Sequence, residues 1–95
     1  MKRELLLRTE PTQTGQLVEV AVFGSAEKVR GAILQYSKVV NVDELLANRD
    51  GKSSGVIIGM VDPFTLGEPI YLVKEPRGGK IAAYFGHELR VIGQI

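Results

Sequence analysis

The stretch Gly55 to Glu75, GVIIGMVDPFTLGEPIYLVKE, decides how the rest of the chain is read. Val56, Ile58 and Met60 alternate with Ile57 and Val61, so a strand here would be apolar on both faces. Such a strand needs cover on both sides, either from a layer of its own domain or from a partner chain. Asp62-Pro63 ends it, and Leu66-Gly67-Glu68-Pro69 completes a turn-forming connection. Ile70 to Lys74 is the next strand, with Ile70 and Leu72 opposite Tyr71 and Val73.

Downstream, Glu75-Pro76-Arg77-Gly78-Gly79-Lys80 reads as a loop tip between strands. Ile81 to Phe85 forms a further strand, Gly86-His87 a turn, and Leu89 to Ile92 a last strand. Upstream, Arg49 to Gly55 is the most polar stretch and its Asp-Gly step marks a turn. Ahead of it, Asp43 to Asn48 reads as a short helix, and 38–42 is undecided between strand and link. Ser25 is placed to cap a longer helix over 26–37, whose buried face would carry Val29, Ala32, Ile33 and Tyr36. Gly31 inside this helix is either a point of close approach to a sheet or a tolerated defect. Gln16 to Phe23 is a valine-rich strand, and Arg3 to Thr9 a leucine-rich one expected to pair with it as a hairpin.

These elements predict one α+β domain over 1–95. The expectation is a small curled antiparallel sheet, or partly closed barrel, of about six strands with one main helix and one short one. The last four strands are expected to run as a meander. The seven glycines from Gly55 to Gly93 fit turns and bulges in a strongly curved sheet.

Composition narrows function by exclusion. The 95 residues are 44% hydrophobic and 24% charged, which is globular rather than disordered. A net charge of +1 supplies no global field to hold a polyanion. With no cysteine there is no disulfide framework, thiolate metal site or thiol nucleophile, a composition that fits the cytoplasm. Leu5-Leu6-Leu7 is too short for a signal-peptide core, and no apolar run is long enough for a transmembrane helix.

Each chemical motif has a plainer reading. Gly51-Lys52-Ser53 ends like a phosphate loop, but Leu46 stands where the first glycine belongs and a strand rather than a helix follows. Ser25 and Lys28 have the spacing of a serine acyl-enzyme, yet Ser25 is fully explained as a helix cap and the companion motifs are missing. His87 is the single histidine, and Glu88 beside it would point the opposite way in a strand. No catalytic residue, metal ligand or cofactor is therefore assigned.

Two surfaces are candidates for binding. Lys74, Arg77 and Lys80 on the hairpin tip could contact a phosphate backbone, with Tyr71, Tyr84 and Phe85 nearby as stacking partners. Val56, Ile57, Ile58 and Val61 form an apolar surplus suited to self-association. The pattern Gly59-Met60-Val61, Gly67, Pro69-Ile70-Tyr71-Leu72-Val73-Lys74 and Gly86-His87-Glu88-Leu89 resembles the small barrel subunit of archaeal H/ACA ribonucleoproteins. In that family a glycine-led strand, a turn and a Pro-Tyr strand ending in Lys recur. Leu66-Gly67-Glu68 replaces the family's Gly-Pro turn, and the helical half has no counterpart there. The resemblance implies a small barrel and a ribonucleoprotein setting. The leading expectation from the residues is a non-enzymatic interaction module forming a homo-oligomer; the second is a nucleic-acid-binding or ribonucleoprotein accessory protein.

Overall fold

The computed structural model of the chain describes residues 14–33, 42–61 and 69–94. Five strands, two α-helices and a 3-10 turn make up these residues. They are β1 (Gln16–Val20), α1 (Ala26–Ile33), α2 (Val42–Ala47), β2 (Ser54–Val61), β3 (Ile70–Lys74), β4 (Ile81–Phe85), the turn Gly86–Glu88 and β5 (Leu89–Gln94). The sheet is antiparallel in the order β4-β3-β2-β1-β5 and does not close.

That order overturns part of the expected topology. β2, β3 and β4 do form a meander, but β5 leaves it to pair with β1 at the opposite edge. The expected hairpin strand over 3–9 lies outside the described residues. Its intended partner β1 has both edges occupied, with Leu17 opposite Val56 of β2 on one side and Gly93 of β5 on the other. β1 also stops at Val20 rather than running to Phe23, because the Ala21 and Val22 amides both turn to the Glu88 carbonyl.

Only the three residues of the 3-10 turn link β4 to β5, although these strands stand at opposite ends of the ladder. The sheet therefore has to curl until its edges approach. The inside of the curl is a core to which every strand contributes: Val18, Ile57, Tyr71, Val73, Ala82, Tyr84 and Leu89. The outside is covered over β3 and β4 by the helices, through Val29, Ala32, Ile33, Leu45 and Leu46 against Ile70, Ala83 and Phe85. β3 and β4 are thus the strands covered on both faces, which is why Ile70 to Val73 and Ile81 to Phe85 are almost uninterruptedly apolar.

The helices form where their local signals place them. The Ser25 hydroxyl accepts the Glu27 amide at 3.1 Å, as a cap should. Val29, Ala32 and Ile33 supply the buried stripe of α1, and 34–41 lies outside the described residues, as does most of the undecided link. Val42 opens α2 one residue ahead of the expected start. Asn48 fastens the end of α2 to β4 by donating to the Ile81 carbonyl at 2.9 Å.

Two glycines contrast sharply. A Cβ on Gly55 would lie 2.4 Å from the Lys74 carbonyl oxygen, so this β2 position excludes any side chain. A Cβ on Gly31 would meet nothing within 4 Å, so no close approach explains that glycine. Gly31→Ala is expected to raise stability by about 0.5–1 kcal/mol through better helix propensity. Gly55→Ala should instead destabilise or unfold the domain. Chemical denaturation of the two variants checks both signs.

Candidate functional site

The densest polar structure in the fold is one that local sequence reading misses. Arg49 follows α2 in a stretch that looks like a solvated turn, and Glu88 looks like a strand residue beside His87. Both side chains are only 1% exposed. Their contact is bidentate, Nη1 to Oε1 at 2.9 Å and Nη2 to Oε2 at 2.7 Å. The carboxylate also accepts the Gly24 amide at 2.7 Å and the Phe85 amide at 2.9 Å. Arg49 donates in turn to the carbonyls of Ala83 at 2.8 Å and Gly24 at 2.9 Å. Its guanidinium carbon sits 5.1 Å from the Phe23 ring centroid and 4.9 Å from that of Tyr84. Tyr84 extends the network, its hydroxyl accepting the Asp50 amide at 2.8 Å.

Burial alone would push the Glu88 carboxyl up. The Arg49 hydrogen bonds, those from the Phe85 and Gly24 amides and the Arg49 charge outweigh that, and hold it below its ordinary value of 4.5. Four accepted hydrogen bonds saturate the carboxylate, so this pair binds protein rather than substrate. His87 lies outside it, exposed and stacked on Phe85 with ring centroids 5.5 Å apart.

The expected apolar surface divides. Ile57 points into the curl, and Val61 packs against the helix-side core. Val56 is half-buried and Ile58 is 45% exposed. The register explains Ile58: β2 pairs Ile57 with Val73 and then Gly59 with Leu72, leaving Ile58 without a partner in a bulge. β5 has a matching irregularity. Val18 pairs with Val91 and Leu17 with Gly93, which leaves Ile92 unpartnered and 48% exposed. Between them on β1, Leu17 faces outward, because its neighbour Val18 faces in. The outer side of β2-β1-β5 thus carries the register pair Leu17 and Val56, and Ile58 and Ile92 are exposed at the bulges beside them, while Met60 stands opposite Tyr71.

The expected basic tip is a second, separate region. Lys74, Arg77 and Lys80 are exposed, whereas the aromatic residues proposed beside them, Tyr71, Tyr84 and Phe85, are all buried in the two cores. Arg77 lines an open groove of about 350 Å³ together with Asp50, Lys52, Ser53, Ser54, Glu75 and Pro76. Among the described residues no cluster of His, Asp and Glu could hold a metal ion, and no helix is long and apolar enough to cross a membrane. Comparisons with family models, curated proteins and solved structures find no match to the chain. The likeness to the H/ACA barrel subunit therefore remains one of short strand pattern.

Removing one partner of the buried pair leaves a charge stranded in the interior, at a cost of about 3–5 kcal/mol. Glu88→Gln and Arg49→Met are each expected to destabilise on that scale. Arg49→Met combined with Glu88→Leu should cost clearly less than the sum, because no orphan charge remains. Urea unfolding across this cycle gives the coupling. The lowered carboxyl also fixes a pH dependence: its contribution is complete above pH 4.5 and is lost as pH falls through the lower folded-state value. Glu88→Gln should flatten that acid limb.

Proposed function

We propose that the chain is a non-enzymatic interaction module that self-associates through the outer side of β2-β1-β5. The observation that carries this reading is the pair of bulges. Each removes one aliphatic residue from the ladder, Ile58 on β2 and Ile92 on β5, and each of those residues is left about half exposed. Bulges re-aim side chains, and large aliphatics aimed at water gain free energy when a partner covers them. Half-buried Leu17 and Val56 pair with each other between the two bulges, so an apolar surface joining them to Ile58 and Ile92 would run across the middle strand.

A second copy of the chain is the occupant we favour. An apolar patch laid on its own copy about a two-fold axis needs no charge complementarity, and two-fold dimers are the commonest soluble oligomers. Arg90 and Glu19, which flank this side, already pair with each other across β1 and β5. They would form the polar rim of such a contact. The interface assigned this way retains Val56 and Ile58, gains Leu17 and Ile92, and drops Ile57 and Val61, which the fold uses internally.

Light scattering at low and high salt tests the proposal. The expected species is a dimer whose mass does not fall with salt, since apolar burial is not screened. Ile58→Lys combined with Ile92→Lys should yield a folded monomer, because neither side chain belongs to a core. A wild-type monomer under all conditions would refute the reading.

A further inference from the structure

Charge is not evenly neutralised over this molecule. Arg30 pairs with Asp43, Arg49 with Glu88, and Arg90 with Glu19. Among the described residues, Lys28 aside, the cations without an ion pair are Lys52, Lys74, Arg77 and Lys80. All four are exposed, and all four belong to two neighbouring segments, the turn before β2 and the β3–β4 tip. Lys52 and Arg77 line the same groove, with the hydroxyl-bearing Ser53 and Ser54 between them. Two carboxylates line it as well. Asp50 is engaged locally, its Oδ1 accepting the Lys52 amide at 3.0 Å, and Glu75 leans over the tip, 2.7 Å from where a Cβ on Gly78 would stand. Two cations and two acids line the groove itself, and the exposed Lys74 and Lys80 on the adjoining tip shift the local balance to positive although the whole chain is nearly neutral.

An aromatic ring adjoins this rim. Phe23 is 54% exposed, and its Cγ would lie 3.3 Å from a Cβ on Gly51, the residue before Lys52. One side of the ring rests on the buried Arg49 guanidinium, which the Glu88 carboxylate holds rigid. Exposed Val22 lies beside it in a loop pinned by the Ala21, Val22 and Gly24 amides, all donating to Glu88. A flat apolar platform, fixed from behind and set next to unpaired cations, matches the chemistry of a strand whose bases are free to stack. A duplex presents phosphates but no open base face.

We propose that this rim binds single-stranded nucleic acid, with phosphodiester groups at Lys52 and Arg77 in the groove, Lys74 and Lys80 alongside, and a base stacked on Phe23. The site adjoins the apolar outer side of β2-β1-β5, Lys74 standing opposite Val56 and Ser54 opposite Glu19, but Lys52, Arg77 and Phe23 lie outside that surface, so substitutions there test this reading separately.

Fluorescence anisotropy with a short labelled oligonucleotide, as single strand and as duplex, tests the proposal over a salt series. The single strand should bind at low salt and more tightly than the duplex. For four phosphate contacts, log K should fall with log salt at a slope of about −3. Lys52→Ala and Arg77→Ala should each weaken binding and lower that slope by about 0.7. Phe23→Leu keeps an apolar cover on Arg49 while removing the ring, and should weaken binding about ten-fold with the slope unchanged. Val22→Ser, which leaves Phe23 and Arg49 in place, guards against loss of fold as the cause and should have a smaller effect. No binding at low salt would overturn the proposal. So would equal affinity for duplex and single strand together with indifference to Phe23→Leu, or complete displacement by inorganic phosphate, which would mark a simple anion site.

Discussion

The bidentate contact between Arg49 and Glu88 is the constraint on which the arrangement of the described residues depends. It joins the segment after α2 to the turn between β4 and β5, and the loop after β1 closes onto both through Gly24. Those three segments are where the curled sheet must be fastened. Strand pairing alone would leave β4 and β5 as the two ends of an open ladder. A charged pair is an unusual fastener, since isosteric apolar residues are often as stabilising. Here the carboxylate and guanidinium also satisfy two backbone amides and two carbonyls at positions where the ladder has ended. Hydrocarbon side chains could not do that.

The same fastening shapes the exterior. The Glu88 carboxylate holds the Gly24 amide and the Glu88 backbone carbonyl takes those of Ala21 and Val22, so β1 ends at Val20 and Phe23 is held outward against Arg49. The bulges act elsewhere on the curled sheet, each setting one aliphatic residue free of the ladder. Buried polar order and exposed apolar order are thus two results of one geometry. Among the described residues the helices make a single layer, and it lies over β3 and β4.

What could be read in the chain beforehand follows the range of the interactions involved. The helices were legible because Ser25, the Val29-Ala32-Ile33 stripe and Leu45-Leu46 are local signals. So were β2, β3 and β4, joined in sequence order and marked by alternating or continuous apolar residues. The partner of β1 was not legible. The choice between a neighbouring leucine-rich segment and a strand at the far end of the chain depends on curl, which no local pattern encodes. Arg49 and Glu88 were missed for the same reason. An arginine in a polar turn and a glutamate after a histidine look like surface residues until the fold brings them together. Lys74, Arg77 and Lys80 stood out as a cluster, whereas Lys52 joined them only through tertiary placement.

The pairing of β1 with β5 also orders events in time. The Gly24 amide reaches a carboxylate 64 residues further along, and Glu19 meets Arg90 across a separation of 71. A ribosome releases the chain from its N-terminus, so β1 emerges before either of its two neighbours, β2 and β5, has been made. Until Leu89 to Gln94 has left the exit tunnel, one edge of β1 stays open, and the fastening carboxylate does not yet exist. The β2-β3-β4 meander can form beforehand, but the curl is completed only when β5 arrives. Long-range closure of this kind is slow compared with helix formation. Among the described strands, β1 thus lacks one of its two edge partners until β5 is available, and open strand edges of this kind favour misassembly.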